Sequence, residues 1–167
     1  LRGAILLKIK LDRDAVLEKV AAIRAAAPRA TLIIDANEAW SGLDLESLLV
    51  ALKAFSIAMV EQPLPAGQDH DLQRFKHPIP VCADESCHTR ADIAELRDRY
   101  EMVNIKLDKC GGLTEALAMV EAARAQNMRI MVGCMLGSSL AMEAALPVAV
   151  NAEFIDLDGP IWLAADS

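Results

Sequence analysis

Thr31-Leu-Ile-Ile-Asp35, with Ala36-Asn37 behind it, is a short apolar run that ends in a carboxylate. An uninterrupted run of this kind, rich in β-branched residues, reads as a strand buried on both faces, as in a parallel sheet. Outward from it the pattern recurs about every 25 residues, roughly one βα unit. Upstream, residues 4–11 (AILLKIKL) carry Lys8 and Lys10. Downstream, IAMVE ends in Glu61, PVCAD in Asp84, MVNIK in Lys106, and FIDLD carries Asp156 and Asp158. Charged side chains are costly to bury unless paired or bound to a metal. A charge closing a strand stands at its C-terminal edge, which in a (β/α) barrel is the active-site face.

Helical patterns fill the intervals, over residues 13–27, 44–54, 89–98, 112–126 and 138–149, with a short helix over 69–76. Asp12 is placed to N-cap the first helix, and Pro28 follows its end. Strands are expected over 4–11, 31–35, 57–61, 80–84, 102–106, 129–133 and 154–158. No linker or low-complexity segment interrupts them. The expectation is one α/β domain over residues 1–167, a TIM-type (β/α) barrel left incomplete at about seven strands. The missing strand would precede Leu1 and a final helix would follow Ser167, so the chain is expected to be part of a longer polypeptide. A doubly wound open sheet is the alternative. It would usually carry a Gly-rich loop after its first strand, where Leu-Asp-Arg-Asp stands instead.

Hydrophobic residues make up 54% of the chain and aromatic residues only 4%, so the core is built of Ala, Leu, Ile, Val and Met. That composition suits helices packed on a parallel sheet. A net charge of −7 without a Lys/Arg cluster speaks against nucleic acid and anionic membrane as partners. No apolar stretch approaches the roughly 20 residues of a membrane span. Cys82, Cys87, Cys110 and Cys134 form no CxxC pair and read as reduced thiols of a cytoplasmic protein. The open edges of an incomplete barrel would favour a homo-oligomer.

Asp35, Glu61 and Asp84 close consecutive strands, and three bare carboxylates in one pocket would repel each other. A hard divalent cation such as Mg²⁺ resolves the repulsion and keeps positions open for substrate oxygens. N-capping alone accounts for Asp at a βα junction but not for Glu61. Lys8 and Lys10 share a strand face, and Lys106 arrives four strands later. Two lysines opposed across a metal can remove and return a proton on opposite faces of one carbon. An edge-strand charge pair is the plainer reading of Lys8 and Lys10. Asp156 and Asp158 also share a face and suit an ammonium group, or else form a structural turn. Asn37 is placed to orient a lysine or the substrate, whereas Glu85 is expected to point the other way. Gly111-Gly112 and Gly137-Ser138-Ser139 open helices and suit an anion or plain turns. His70, His77 and His88 lack a metal spacing. Trp40 and Trp162 follow strand ends and either line the pocket or cover the barrel.

Lys8-Ile9-Lys10, Asp35-Ala36-Asn37, Glu61-Gln62-Pro63, Asp84-Glu85-Ser86 and Asn104-Ile105-Lys106, in that order, resemble the enolase superfamily, in its muconate-lactonizing-enzyme-like subgroup. Asp156-Leu-Asp-Gly-Pro160 resembles the Asp-x-Asp motif of the dipeptide epimerases. VGCMLGSS, ADESCHTR and MVNIKLDKCGGLTEAL are similar to bacterial L-Ala-D/L-Glu epimerases. Sites of this superfamily pair a lysine or histidine base with Mg²⁺. The resemblance implies Lys10 and Lys106 as acid/bases and Lys8 as support for developing charge. It implies Asp35, Glu61 and Asp84 as Mg²⁺ ligands. Asp156, Asp158, Asn37, Cys134 and Met135 would contact a small dipeptide. It further implies a cytoplasmic role in murein peptide recycling, and an N-terminal α+β capping domain and first barrel strand that this sequence lacks. Three alternatives stand beside it: a dipeptide epimerase of other specificity, a cycloisomerase or o-succinylbenzoate synthase of the same subgroup, and an inactive Mg²⁺-binding barrel fragment.

Overall fold

The structure is a computed structural model that describes residues 5–166. Ala4, the first residue of the expected strand 4–11, and the termini Leu1 and Ser167 lie outside the described residues. The chain divides into two compact units, Leu1–Ser86 and Cys87–Ser167.

In the first unit, strands β1 (Leu6–Lys10), β2 (Thr31–Asp35), β3 (Ile57–Glu61) and β4 (Val81–Ala83) are hydrogen-bonded neighbours in chain order, all parallel. Helices α1 (Val16–Ala26) and α2 (Leu45–Lys53) cross over between them. Leu32, Ile33 and Ile34 are all buried, as a parallel strand covered on both faces requires. Val20, Leu49, Leu52, Met59 and Trp40 join them in the core. The Trp40 indole N–H reaches the Asp12 carbonyl at 3.2 Å, so this tryptophan is core. Asp44 caps α2 by accepting from the Ser47 N–H at 3.1 Å.

The expected cap of α1 is corrected. The helix begins after Ala15, in the left-handed region at φ 50°, with no side-chain cap. Asp12 instead folds onto the Asp14 N–H and the Lys19 ammonium. At the other end, the Arg24 guanidinium donates to the carbonyls of Ala27, Ala30, Phe55 and Ser56. One side chain thereby satisfies carbonyls of the loops that follow α1 and α2. The helix expected over 69–76 is a 3₁₀ turn over His70–Arg74.

In the second unit, β5 (Met102–Ile105), β6 (Arg129–Gly133) and β7 (Phe154–Asp156) are parallel neighbours. Helices α3 (Arg90–Leu96), α5 (Leu113–Ala125) and α6 (Ser139–Ala149) cover them, through Ile93, Met119, Val120, Ala123, Ala145 and Val148. A one-turn helix, α4 (Leu107–Cys110), precedes α5 and was not expected from the sequence. Gly111 and Gly112, at φ 85° and 129°, make the turn between them, where a side chain would be strained. Strand β7 stops at Asp156, so Asp158 lies beyond it, at the head of a 3₁₀ turn over Gly159–Trp162. The four cysteines are free thiols. No helix among the described residues is long and apolar enough to cross a membrane.

Candidate active site

Register builds the charged edge of the first unit. Lys10 pairs with Asp35 across β1 and β2, and Asp35 pairs with Glu61 across β2 and β3. Partners in parallel register point the same way, so these side chains emerge on one face. Lys8 lies two residues before Lys10 on that face. Its ammonium sits 3.0 Å from Asp35 Oδ2 and 2.9 Å from Glu61 Oε2. The Lys10 ammonium donates to the same Asp35 oxygen at 3.0 Å and to Asn37 Oδ1 at 2.7 Å. The Asn37 backbone N–H in turn donates to Asp35 Oδ1 at 3.0 Å. The Lys10 side chain is 69% exposed, so its ammonium is both hydrogen-bonded and open to solvent.

Asp35, Glu61 and Asp84 are 1%, 0% and 2% exposed. The Glu61 carboxyl is raised to about 7, first by burial, against the pull of Lys8 and with the added push of the Asp35 and Asp84 charges. Asp35 and Asp84 are thus near enough to oppose the ionisation of Glu61. Glu85, expected to face away, joins them. It accepts from Asn37 Nδ2 at 3.3 Å, and burial and then Asp84 raise its carboxyl. The physical reason is that β4 ends at Ala83, so strand alternation no longer governs residue 85.

Among the described residues no three His, Cys, Asp or Glu side chains stand as a closed cage for a metal ion. The Lys8 ammonium lies between Asp35 and Glu61 and holds their oxygens to itself. The donor set nevertheless fits a hard cation. Three buried carboxylates stand at neighbouring strand ends against two ammonium groups, Lys8 and Lys10, and Mg²⁺ takes such oxygens.

In the second unit, Lys106 follows the last residue of β5 and is only 8% exposed. It shares its surroundings with the buried Asn104 and with Gly133 at the end of β6. A Cβ on Gly133 would meet the Asn104 amide at 2.9 Å and Lys106 Cε at 3.1 Å. Gly133 therefore leaves the floor on which both side chains lie. The remaining groups gather round Cys134. Burial pushes its thiol up, the Gly159 N–H lowers it, and Asp156, Asp158 and Asp108 raise it. Asp108 accepts from the Met135 N–H at 3.3 Å, and Asp158 from the Trp162 indole at 3.2 Å. Met135 and Trp162 are exposed.

Sequence reasoning passed over Gln62, Asn104, Asp108 and Gly133 as actors in their own right. All four lie inside the motifs that carry the resemblance, which is the sign the sequence offers of them.

In each unit buried charged groups stand at the C-terminal ends of parallel strands, Asp35, Glu61 and Asp84 in the first and Lys106 in the second, the edge that carries the active site in (β/α) barrels. Residues 2–159 match the family described as enolase C-terminal domain-like, and the chain belongs to that family. It is 57% identical over 164 residues to the L-Ala-D/L-Glu epimerase of Escherichia coli (strain K12), covering 98% of this chain and 51% of that protein. It is 50% identical to an N-acetyl-D-glutamate racemase of Pseudoalteromonas sp, covering 96% and 51%. A solved L-Ala-D/L-Glu epimerase superposes with a TM-score of 0.96 at 56% identity, over 99% of this chain and 52% of that one. A dipeptide epimerase from Methylococcus capsulatus, complexed with Mg and the dipeptide L-Arg-D-Lys, superposes at 0.92 and 32% identity, over 99% and 50%. The fold class is α/β, parallel strands alternating with helices, as in the barrel domain of this family. The chain spans about half the length of the curated relatives it matches.

Proposed function

We propose that this chain carries the catalytic groups of a Mg²⁺-dependent dipeptide epimerase acting on L-Ala-D/L-Glu. The observation that carries the reading is the trio of buried carboxylates Asp35, Glu61 and Asp84, with the Lys8 ammonium between the first two. Asp35, Glu61 and Asp84 would hold the metal. When bound, Mg²⁺ supplies positive charge that offsets the second negative charge a carboxylate gains when its α-proton leaves. Lys8 adds a fixed ammonium to the same oxygens, a charge already in place before the proton moves.

Lys10 and Lys106 are the two acid/bases. One removes the α-proton of the C-terminal residue and the other returns a proton to the opposite face, inverting the carbon. For Lys10 the support is its ammonium, fixed by Asp35 and Asn37 yet open to solvent. For Lys106 it is burial beside Asn104 over a glycine floor. Asp156 and Asp158 receive the amino terminus, with Cys134 and Met135 against the side chains. The proposed setting is turnover of murein peptides in the cytoplasm.

A second reading has its own support, the 50% identity to a protein named N-acetyl-D-glutamate racemase. An N-acyl amino acid would use the same metal and lysines but has no ammonium for Asp156 and Asp158. One experiment separates the two: following the glutamyl α-proton of L-Ala-D-Glu, and of N-acetyl-D-glutamate in parallel, by NMR in D₂O with Mg²⁺. Loss of the dipeptide signal with appearance of L-Ala-L-Glu is the expected result. Exchange of the N-acetyl compound alone overturns the dipeptide reading, and exchange of neither overturns both.

A further inference from the structure

We infer that Gln62 is a positioning residue for the metal ligands, the peg that sets the three carboxylate-bearing strand ends at a fixed spacing. This rests on Asp35, Glu61 and Asp84 being the ligands proposed above. Gln62 follows Glu61 directly and is wholly buried. Every polar group it owns is engaged. Its backbone N–H donates to the Cys82 carbonyl at 2.9 Å, and its carbonyl accepts from the Glu38 N–H at 2.8 Å. Its side-chain oxygen accepts from the Asp84 N–H at 2.8 Å and from the Ser86 N–H at 3.1 Å. Its side-chain nitrogen donates to the Leu64 carbonyl at 2.8 Å and to Ser86 Oγ at 2.9 Å. Ser86 Oγ passes the chain on to Asp69, also wholly buried, at 2.7 Å.

The partners belong to three segments. Glu38 lies just past the end of β2, Leu64 follows β3, and Cys82, Asp84 and Ser86 lie in and after β4. Those strands end at Asp35, at Glu61 and just before Asp84. One of the bonds is made to the backbone of Asp84 itself. The pattern demands a carboxamide: two N–H groups need an acceptor, and a carbonyl and a hydroxyl need donors. A carboxylate of the same length supplies only acceptors, and a thioether supplies neither in strength. Gln62 also sits at φ 35°, a conformation that non-glycine residues hold only when the surroundings over-determine it. Groups behind metal ligands typically govern affinity by roughly 10–100-fold, because the ligands must meet the ion without rearranging.

The test is Mg²⁺ affinity measured by calorimetry on the full chain, with no substrate present, beside thermal unfolding. Three variants are compared: Gln62→Met, Ser86→Ala, and Arg24→Met at the opposite end of the strands. Gln62→Met should bind Mg²⁺ roughly 10–100-fold more weakly per folded molecule, and Ser86→Ala a few-fold more weakly. Arg24→Met should lose melting temperature while holding its affinity. If Gln62→Met unfolds, Ser86→Ala decides. Unchanged affinity in the folded Gln62 or Ser86 variants overturns the inference and leaves the metal site standing. Failure of the unsubstituted protein to bind Mg²⁺ overturns the ligand assignment and this inference with it.

Discussion

The two units place their charged groups in opposite surroundings. In the first, Asp35, Glu61 and Asp84 are sealed from water and tied through Lys8, Asn37 and Gln62. In the second, Asp158, Met135 and Trp162 are exposed, and the groups around Cys134 are joined by single hydrogen bonds. Burial makes electrostatics strong and position costly to change. Exposure makes both cheap. The first arrangement suits chemistry common to a whole family, and the second suits recognition that differs from one member to the next. Lys106, with Asn104 and Gly133, is the part of the second unit that resembles the first.

The largest effect should come from Lys106→Ala. Loss of one of the two proposed acid/bases is expected to reduce epimerisation by on the order of 10²–10⁴-fold. The same NMR assay reads it, and full turnover in the variant would remove Lys106 from the mechanism. Gly133→Ala should come next. Its methyl group would press on the Asn104 amide at 2.9 Å and on Lys106 Cε at 3.1 Å. A shift of about 1 Å in a catalytic group can cost ~10²-fold, so kcat should fall by about that much while Mg²⁺ affinity stays unchanged. Equal losses in kcat and in metal affinity would mean that the two units are not separable in this way.

The pH dependence of the first unit follows from Glu61. Its carboxyl is raised from an ordinary 4.5 to about 7, so the folded protein holds this proton more tightly than the unfolded chain. Below pH 4.5 both states are protonated and Glu61 has no influence. Between 4.5 and about 7 the unfolded chain ionises first, and stability of the metal-free protein falls as pH rises; above 7 the penalty is constant. Its size is on the order of a few kcal/mol. Mg²⁺ needs the ionised form, so its affinity should weaken below pH 7, by up to about tenfold per pH unit. Urea unfolding at pH 5 and pH 8, with and without Mg²⁺, checks both signs. A metal-free protein more stable at pH 8 than at pH 5 would contradict the account of Glu61.

How far the sequence foretold this depends on the kind of contact. The strands at Thr31–Asp35, Ile57–Glu61 and Arg129–Gly133 have the expected bounds, because a strand buried on both faces must be apolar throughout. The α4 turn and the 3₁₀ turn after Asp158 are too short to show a period. Asp12 has the right residue type for a cap and the wrong backbone beside it, since Ala15 takes the left-handed conformation where the helix begins. Alternation placed Lys8 with Lys10 but failed for Glu85, because it holds only while the strand lasts. Gln62 and Gly133 could not be read locally at all. What each does depends on residues brought alongside from other strands, and one sequence does not display those pairings.

The smallest expected effect tests the exposed side of the comparison. Asp158 is exposed, and its carboxylate accepts from the Trp162 indole at 3.2 Å. Asp158→Asn keeps an acceptor there and removes the charge. Exposed charge pairs are worth roughly 0.2–1 kcal/mol, so KM for L-Ala-D-Glu should rise only a few-fold if Asp158 meets the substrate ammonium. Unfolding and Mg²⁺ affinity should stay as they were. An N-acetylated substrate carries no such charge, and its KM should not rise in the variant. A dipeptide KM that is also unchanged would strip Asp158 of its role and leave recognition to Asp156. A loss in the hundred-fold range would instead show that the substrate seals this region from water on binding, making it as strongly electrostatic in use as the buried carboxylates are at rest.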